Sequence, residues 1–291
     1  MSRTRIIAVA SCIGLCAFAS LGAAQPDRPA RNRSRSEALA AKPVRGSLYQ
    51  VTGGGGNSFF YVGPDEVLVV DAKTTTPAAG QALAAIRKVT DKPVRRILLT
   101  HSDGDHVNGL AGYPSALTII SHANARQDIA QANTAATAKL PLPNETFVKQ
   151  LSLYLGDVEV QLHHFGPAHT NGDVVVYIPS EKVAIVGDLV FVGRDPLIHA
   201  HKKGSSFGLV SVLKSLLQLD ADVFLSGHSD PVDRKTVEAL AAEIQQKQAK
   251  VKALVQEGKT LDEVKAAFGI AGGGRWPSLV EIIYRELTAK K

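Results

Sequence analysis

The sequence predicts an α/β protein in which helices pack outside β-sheets. Short runs rich in Val, Ile, Leu and Phe alternate along the chain with longer segments of helical periodicity. The pattern occurs twice, as strands, then a turn bearing His or Asp, then a helix. Such alternation favours sheets covered by helices. The composition agrees: 45% apolar and 21% charged residues are ordinary globular values. Aromatic residues make up only 5%, so the core must rest on Val, Ile, Leu and Ala. A chain of 291 residues has room for one large domain or two small ones.

Residues 1–24 read as a signal peptide. Arg3 and Arg5 give a basic start, residues 6–19 are apolar and uncharged, and Gly22-Ala23-Ala24 offers a cleavage point. The apolar run is short for a spanning helix, so no stable membrane anchor is expected. Export across an inner membrane into the periplasm is expected instead. Both cysteines, Cys12 and Cys16, lie in this segment, which leaves the mature chain no disulfide, thiol nucleophile or thiolate ligand. Residues 25–46 read as a basic, flexible leader, with Arg28, Arg31, Arg33, Arg35, Lys42 and Arg45 against Asp27 and Glu37. Together with Arg3 and Arg5 it accounts for the whole formal charge of +6. The body from Ser47 onward is near neutral, which gives nucleic-acid binding no electrostatic support.

Within the body, 48–51, 58–62 and 66–71 read as strands joined by turns at 53–56 and 63–65. The four glycines at 53–56 are not a phosphate loop, because no Lys-Ser/Thr pair and no helix follow. A helix is predicted over 77–89, with Pro77 suited to its first turn. Strands follow at 94–100 and 117–121, and a helix at 123–135. Residues 151–165 form a hairpin around Gly156-Asp157, and 173–178 pairs with 182–186. A helix at 207–219 and a strand at 223–226 complete the second half. Beyond Asp230 the chain reads as helical, over 237–256, 261–268 and 278–287, with Thr260 and Glu263 spaced as a capping box. This divides the chain into a main domain over 47–231 and a helical extension over 232–291, whose helices offer a surface for self-association.

The chemistry concentrates in Thr100-His101-Ser102-Asp103-Gly104-Asp105-His106, which follows the apolar Ile97-Leu98-Leu99. A turn at the end of a buried strand can aim several donors at one point. Three further strands end in similar turns: Gly166-Pro167-Ala168-His169-Thr170, Ala184-Ile185-Val186-Gly187-Asp188 and Phe224-Leu225-Ser226-Gly227-His228. Imidazole nitrogen and carboxylate oxygen together suit Zn²⁺, Fe or Mn.

These motifs resemble the metallo-β-lactamase-fold hydrolases over roughly residues 47–231. The resemblance implies a four-layer αββα sandwich with a metal site at one edge between the sheets. It implies one metal on His101, His169 and Asp103, a second on Asp105, His106 and His228, and Asp188 bridging them. A bridging carboxylate is similar to the glyoxalase II, lactonase and phosphodiesterase branches, whereas the best-known zinc β-lactamases have cysteine there. Asp103 departs from the pattern, where histidine is usual. An added carboxylate lowers the positive charge of the site, weakens its polarising power and admits Fe or Mn beside Zn²⁺. It also leaves open a site that works with one ion. His163 and His164 are weighed as replacements for the missing imidazole, though ordinary strand roles are expected for them. His122 is expected to be a packed histidine, His199 and His201 to lie near the substrate, and Asp71 to orient a ligand.

The function expected is hydrolysis of a small molecule, an ester, lactone, thioester or β-lactam, by a metal-bound hydroxide, with two zinc ions and Asp105 orienting the nucleophile and relaying its proton. Two rivals stand beside it. One is a non-heme iron redox protein of the same fold, and the other is a non-catalytic interaction module braced by its metal.

Overall fold

The computed structural model describes residues 38–272 and 274–289. The expected signal peptide and the leader as far as residue 37 lie outside the described residues. Two sheets form the centre. The first has seven strands in chain order: β1 (Ala41–Arg45), β2 (Leu48–Val51), β3 (Ser58–Val62), β4 (Val67–Val70), β5 (Val94–Leu98), β6 (Thr118–His122) and β7 (Glu145–Phe147). Pairing is antiparallel from β1 to β4 and parallel from β4 to β7. The second sheet comprises β8 (Gln150–Leu155), β9 (Val158–His163), β10 (Val175–Ile178), β11 (Val183–Gly187), β12 (Val223–Ser226) and β13 (Val232–Asp233). Its order is β13-β12-β11-β10-β9-β8, and only β11 and β12 are parallel.

The period of two along each strand sorts its side chains into layers. Phe59 and Tyr61 of β3 point between the sheets, where they meet Val176 and Ile178 of β10 and Ile185 of β11. Phe60 points the other way, under helix α1 (Thr76–Arg87) and near Ile129 of α3 (Ala123–Ala135). On the far side, Val175, Tyr177, Ala184 and Val186 meet Leu209, Leu213 and Leu216 of α4 (Ser206–Leu216). Strands buried on both faces read as unbroken apolar runs, which is why they were easy to locate. The result is the αββα sandwich. A short helix, α2 (Gly104–Val107), sits between β5 and β6.

The leader is shorter than the sequence suggested. Ala41–Arg45, expected to be flexible, is an edge strand paired with β2. Pro43 is tolerated there because an edge strand lacks a partner on one side. Val44 packs on the inter-sheet core, and Arg45 donates to the Glu181 carbonyl at 2.9 Å and pairs with Asp222 at 3.3 Å. Lys42, Pro43 and Arg45 masked the strand, since it contributes only one face to the core.

The C-terminal segment is built into the same compact unit. Helices α5 (Arg234–Gln256), α6 (Leu261–Ala267) and α7 (Leu279–Thr288) share one apolar cluster with α4 through Val237, Ile244, Val251, Val264, Ile282 and Ile283. Glu286 of α7 accepts from the Ser206 amide, and Gln248 of α5 donates to the Ser206 carbonyl. The capping box at Thr260 and Glu263 forms as expected. No described helix is long and apolar enough to cross a membrane.

Candidate metal centre

Four strand ends deliver the predicted residues to one place. His101 follows β5. Asp103 is the N-terminal flanking residue of α2, in extended backbone and with no capping bond, so its carboxylate is free to face the cleft. Asp105 and His106 lie in α2, His169 in the loop after β9, Asp188 after β11 and His228 after β12. The donor atoms gather into two groups: His101, Asp103, His169 and Asp188, then Asp105, His106 and His228. His169 Nε2 lies 3.1 Å from Asp103 Oδ2, and His101 Nε2 lies 3.9 Å from both Asp103 and Asp188. In the second group His228 Nε2 is 3.1 Å from Asp105 and 3.4 Å from His106 Nε2. Asp188 reaches across, with Oδ1 3.3 Å from His106 and Oδ2 3.2 Å from His228.

The far side of each ring explains its orientation. Asp71 accepts from His106 Nδ1 at 2.7 Å and from the Thr100 amide and hydroxyl, both at 2.8 Å. The Thr100 hydroxyl hydrogen is therefore committed, and its oxygen accepts from His101 Nδ1 at 2.9 Å. His169 Nδ1 donates to the Leu197 carbonyl at 2.7 Å. These bonds leave Nε2 as the inward atom of each ring. Asp71 holds a left-handed backbone (φ 66°) to do this.

A divalent cation fits these residues. His101 Nε2 is buried without a hydrogen-bond partner, and so is Asp188 Oδ1. A buried lone pair with no donor is costly, and a cation would satisfy both atoms. Electrostatics point the same way. Burial alone would raise the carboxyl of Asp103, but hydrogen bonds from His169 and His199 hold it well below its ordinary range. Asp188, equally opposed by burial, is held far down by His106 and His228. Burial, helped by His106, pushes His101 down to about 3, so that ring is a neutral donor.

Close backbone approach frames the second group. A Cβ on Gly56 would meet the His106 ring at 2.4 Å, and one on Gly227 would meet Asp188 Oδ1 at 2.2 Å. The glycine run at 53–56 does join β2 to β3 as a hairpin turn, but it also presses on a metal-facing ring. The sequence reading saw only the turn. Lys73, buried and in left-handed backbone (φ 72°), fixes this run by donating to the carbonyls of Val51 at 2.5 Å and Gly56 at 3.0 Å.

Other histidines separate by role. His163 bonds Gln161 and stacks on Phe165, and His164 donates to the Asp173 carbonyl and stacks on His122. Neither joins the donor groups. His122 caps α3 and donates to the Val148 carbonyl, a packed role as expected. His199 and His201 line the cleft, as expected, and His199 also touches Asp103 at 2.7 Å, while Lys202 lies 2.7 Å from the other oxygen of that carboxylate. The charge deficit expected from Asp103 is therefore offset by an ammonium that the local motif does not contain.

The site opens into a cleft of about 600 Å³. Thr74, Asn108, Phe191, Arg194 and Leu197 line it, with Arg275 and Trp276 from the C-terminal segment. Trp276 meets His199 edge-on at 5.1 Å and lies parallel to His201. The sequence reading missed this contribution. Trp276, the single tryptophan of the chain and set among glycines, was the available signal.

Comparison with known proteins agrees with this geometry. The family model described as "Metallo-beta-lactamase superfamily" matches residues 51–228. The chain is similar to the 2,4-dinitroanisole O-demethylase subunit alpha of Nocardioides sp. (strain JS1661), with 28% identity over 69% of this chain and 61% of that one. It is similar to a linear primary-alkylsulfatase of Pseudomonas sp. (strain ATCC 19151), with 24% identity over 60% of this chain and 42% of the other. The probable metallo-hydrolase YqgX of Bacillus subtilis (strain 168) is 26% identical over 61% of this chain and 86% of its own. The chain thus spans less than two thirds of the first two relatives. Among solved structures, a metallo-beta-lactamase from Pontibacter korlensis matches with a TM-score of 0.64 at 17% identity, over 71% of this chain and 99% of that one. The sec-alkylsulfatase Pisa1 from Pseudomonas sp. matches with 0.70 at 15% identity, over 86% and 50%. At these identities the structural matches speak to fold.

Proposed function

The chain belongs to the metallo-beta-lactamase superfamily, and from that premise we propose that it hydrolyses small ester-like molecules with a pair of divalent cations. The observation that carries this reading is the position of Asp188, whose Oδ2 lies 3.2 Å from His228 in one donor group and 3.9 Å from His101 in the other, while its Oδ1 lies 3.3 Å from His106, together with the unpartnered Nε2 of His101. His101, Asp103 and His169 would hold one ion, Asp105, His106 and His228 the other, and Asp188 both. When bound, the ions, zinc in this reading, polarise a substrate oxygen and bring the pKa of water toward neutrality.

The residues of the chain do the rest. Asp105 is the most exposed carboxylate of the cluster, at 36%. Burial disfavours its charge, but the His228 hydrogen bond holds its pKa below the ordinary carboxylate value, so it is ionised. It can accept a proton from an attacking water and pass it to a leaving group. Phe191 and Trp276 offer apolar walls, while the guanidinium of Arg194 lies 4.4 Å over Phe191 and that of Arg275 lies 5.3 Å over Trp276. A cleft of this size suits a small organic ester, lactone, thioester or β-lactam. The named relatives, an alkylsulfatase and an anisole demethylase, extend the panel to sulfate esters and aryl ethers. A periplasmic location follows the reading of residues 1–24 as a signal peptide, and self-association follows that of the C-terminal helices.

Elemental analysis of purified protein, followed by a hydrolysis screen of the zinc-loaded form on those classes, tests the proposal. Two ions per chain and turnover of one class are expected. A metal-loaded protein inert on the whole panel would favour the non-catalytic module.

A further inference from the structure

We infer that Lys202 and His199 are positioning residues that make Asp103 a ligand of the first cation, with Asp103 and Lys202 acting as one near-neutral unit. The inference rests on the reading of His101, Asp103, His169 and Asp188 as a cation site.

An ammonium has three hydrogens to donate. Lys202 Nζ lies 2.7 Å from Asp103 Oδ1, 3.1 Å from the Ser102 carbonyl and 3.0 Å from the Ser102 hydroxyl. All three are thus engaged on two adjacent residues of the ligand turn. Lys202 lines the cleft but has no hydrogen left for a substrate. The other carboxylate oxygen, Oδ2, accepts from His199 Nε2 at 2.7 Å. The same Oδ2 faces His169 Nε2 and, further off, His101 Nε2. Rotation of Asp103 away from the cation would break the contacts to Lys202 and His199 together.

Backbone bonds couple this clamp to the rest of the site. The His199 amide donates to the His169 carbonyl at 2.9 Å, and the Lys202 carbonyl accepts from the Asn171 amide at 3.0 Å. The turn that grips Asp103 is therefore fastened to the loop that carries His169. One short segment sets two donors of the same ion.

The charge argument is equally direct. With Lys202 counted, Asp103 contributes an oxygen donor and no net charge. An imidazole at position 103 would also be a neutral donor, but it would leave the Lys202 ammonium facing a dication without its counter-charge. Asp103→His should therefore be harmful while Lys202 stays and tolerable once it is removed.

The test uses full-length wild type, Asp103→His, Lys202→Met and the double variant. Each is stripped of metal and titrated with zinc against a chromophoric chelator, with Co²⁺ absorption spectra and apo-protein melting as parallel readouts. Lys202→Met should weaken zinc binding by about 10–100-fold, as loss of a partner that orients a ligand does. Asp103→His should weaken it too, and Lys202→Met should strengthen binding in the Asp103→His background. This reversal of sign is the expected result. Lys202→Arg, which keeps the charge, should retain more affinity than Lys202→Met. An equal effect of Lys202→Met in both backgrounds would overturn the inference. So would lowered apo-protein melting with unchanged zinc affinity, which marks a plain structural brace. Wild-type protein that takes up no zinc or cobalt would remove the cation-site reading itself, an outcome distinct from normal uptake with additive variants.

Discussion

The two donor groups differ in how they are supported. His101, Asp103 and His169 are nearly enclosed, and Asp103 is gripped by a distant turn. Asp105 and His228 stand partly open to the cleft, and His106 is backed by Asp71 and pressed by Gly56. In the enclosed group, Asp103 owes its charge balance and orientation to His199 and Lys202, far along the chain. The open group owes its shape to glycines that let backbone come close. The difference teaches that one cluster of donors is supported in two ways: one group is closed off and gripped from outside, and the other is left partly open to the cleft.

The comparison can be broken most severely at Asp188, which serves both groups. Asp188→Ala should reduce metal content at both sites and lower turnover by at least about 100-fold. Elemental analysis beside steady-state kinetics checks this, and unchanged turnover would remove the bridge. Gly56→Ala should separate the groups. Its methyl would collide with the His106 ring, so the second ion should be lost with the first retained, giving close to one metal per chain. Loss of both ions, or of neither, would contradict the division.

Trp276→Ala should act on the cleft alone, raising KM several-fold at constant metal content if its ring contacts substrate, as a lost apolar contact of about 1–2 kcal/mol would. An unchanged KM would show that the indole only covers His199 and His201.

The support of the glycine run predicts a pH effect. Burial pushes Lys73 down to about 8, against the pull of Asp71. Its folded-state pKa lies below its unfolded one, so above about pH 8 the unfolded chain binds more protons than the folded one. Stability contributed by Lys73 should therefore rise with pH between about 8 and 10.5. The difference in unfolding free energy between wild type and Lys73→Met should shift in favour of wild type as pH rises across that window. A constant difference would place the ammonium in contact with water. The smallest effect is expected from removing residues 25–37 of the leader, which carry charge but no motif; a large loss of turnover would show that this segment matters to the site.

The strands were legible because those buried on both faces are apolar without interruption, as Phe59 to Val62 and Val183 to Val186 show. The seven clustered donors were legible as candidates because they lie in turns that follow such strands. Three of the edge strands were not. Ala41–Arg45, Glu145–Phe147 and Val232–Asp233 bury too little to leave a pattern.

By itself the sequence determined that strands and helices alternate, the order of its main elements and which turns carry His and Asp, because periodicity and turn chemistry are local properties; the four-layer sandwich was implied by the family resemblance of those motifs. The tertiary structure alone decided what surrounds them. Lys202 and His199 against Asp103, Gly56 against His106, and Trp276 over the cleft are contacts between segments far apart in the chain. Charge balance and steric fit depend on distance in space, and no local pattern records that.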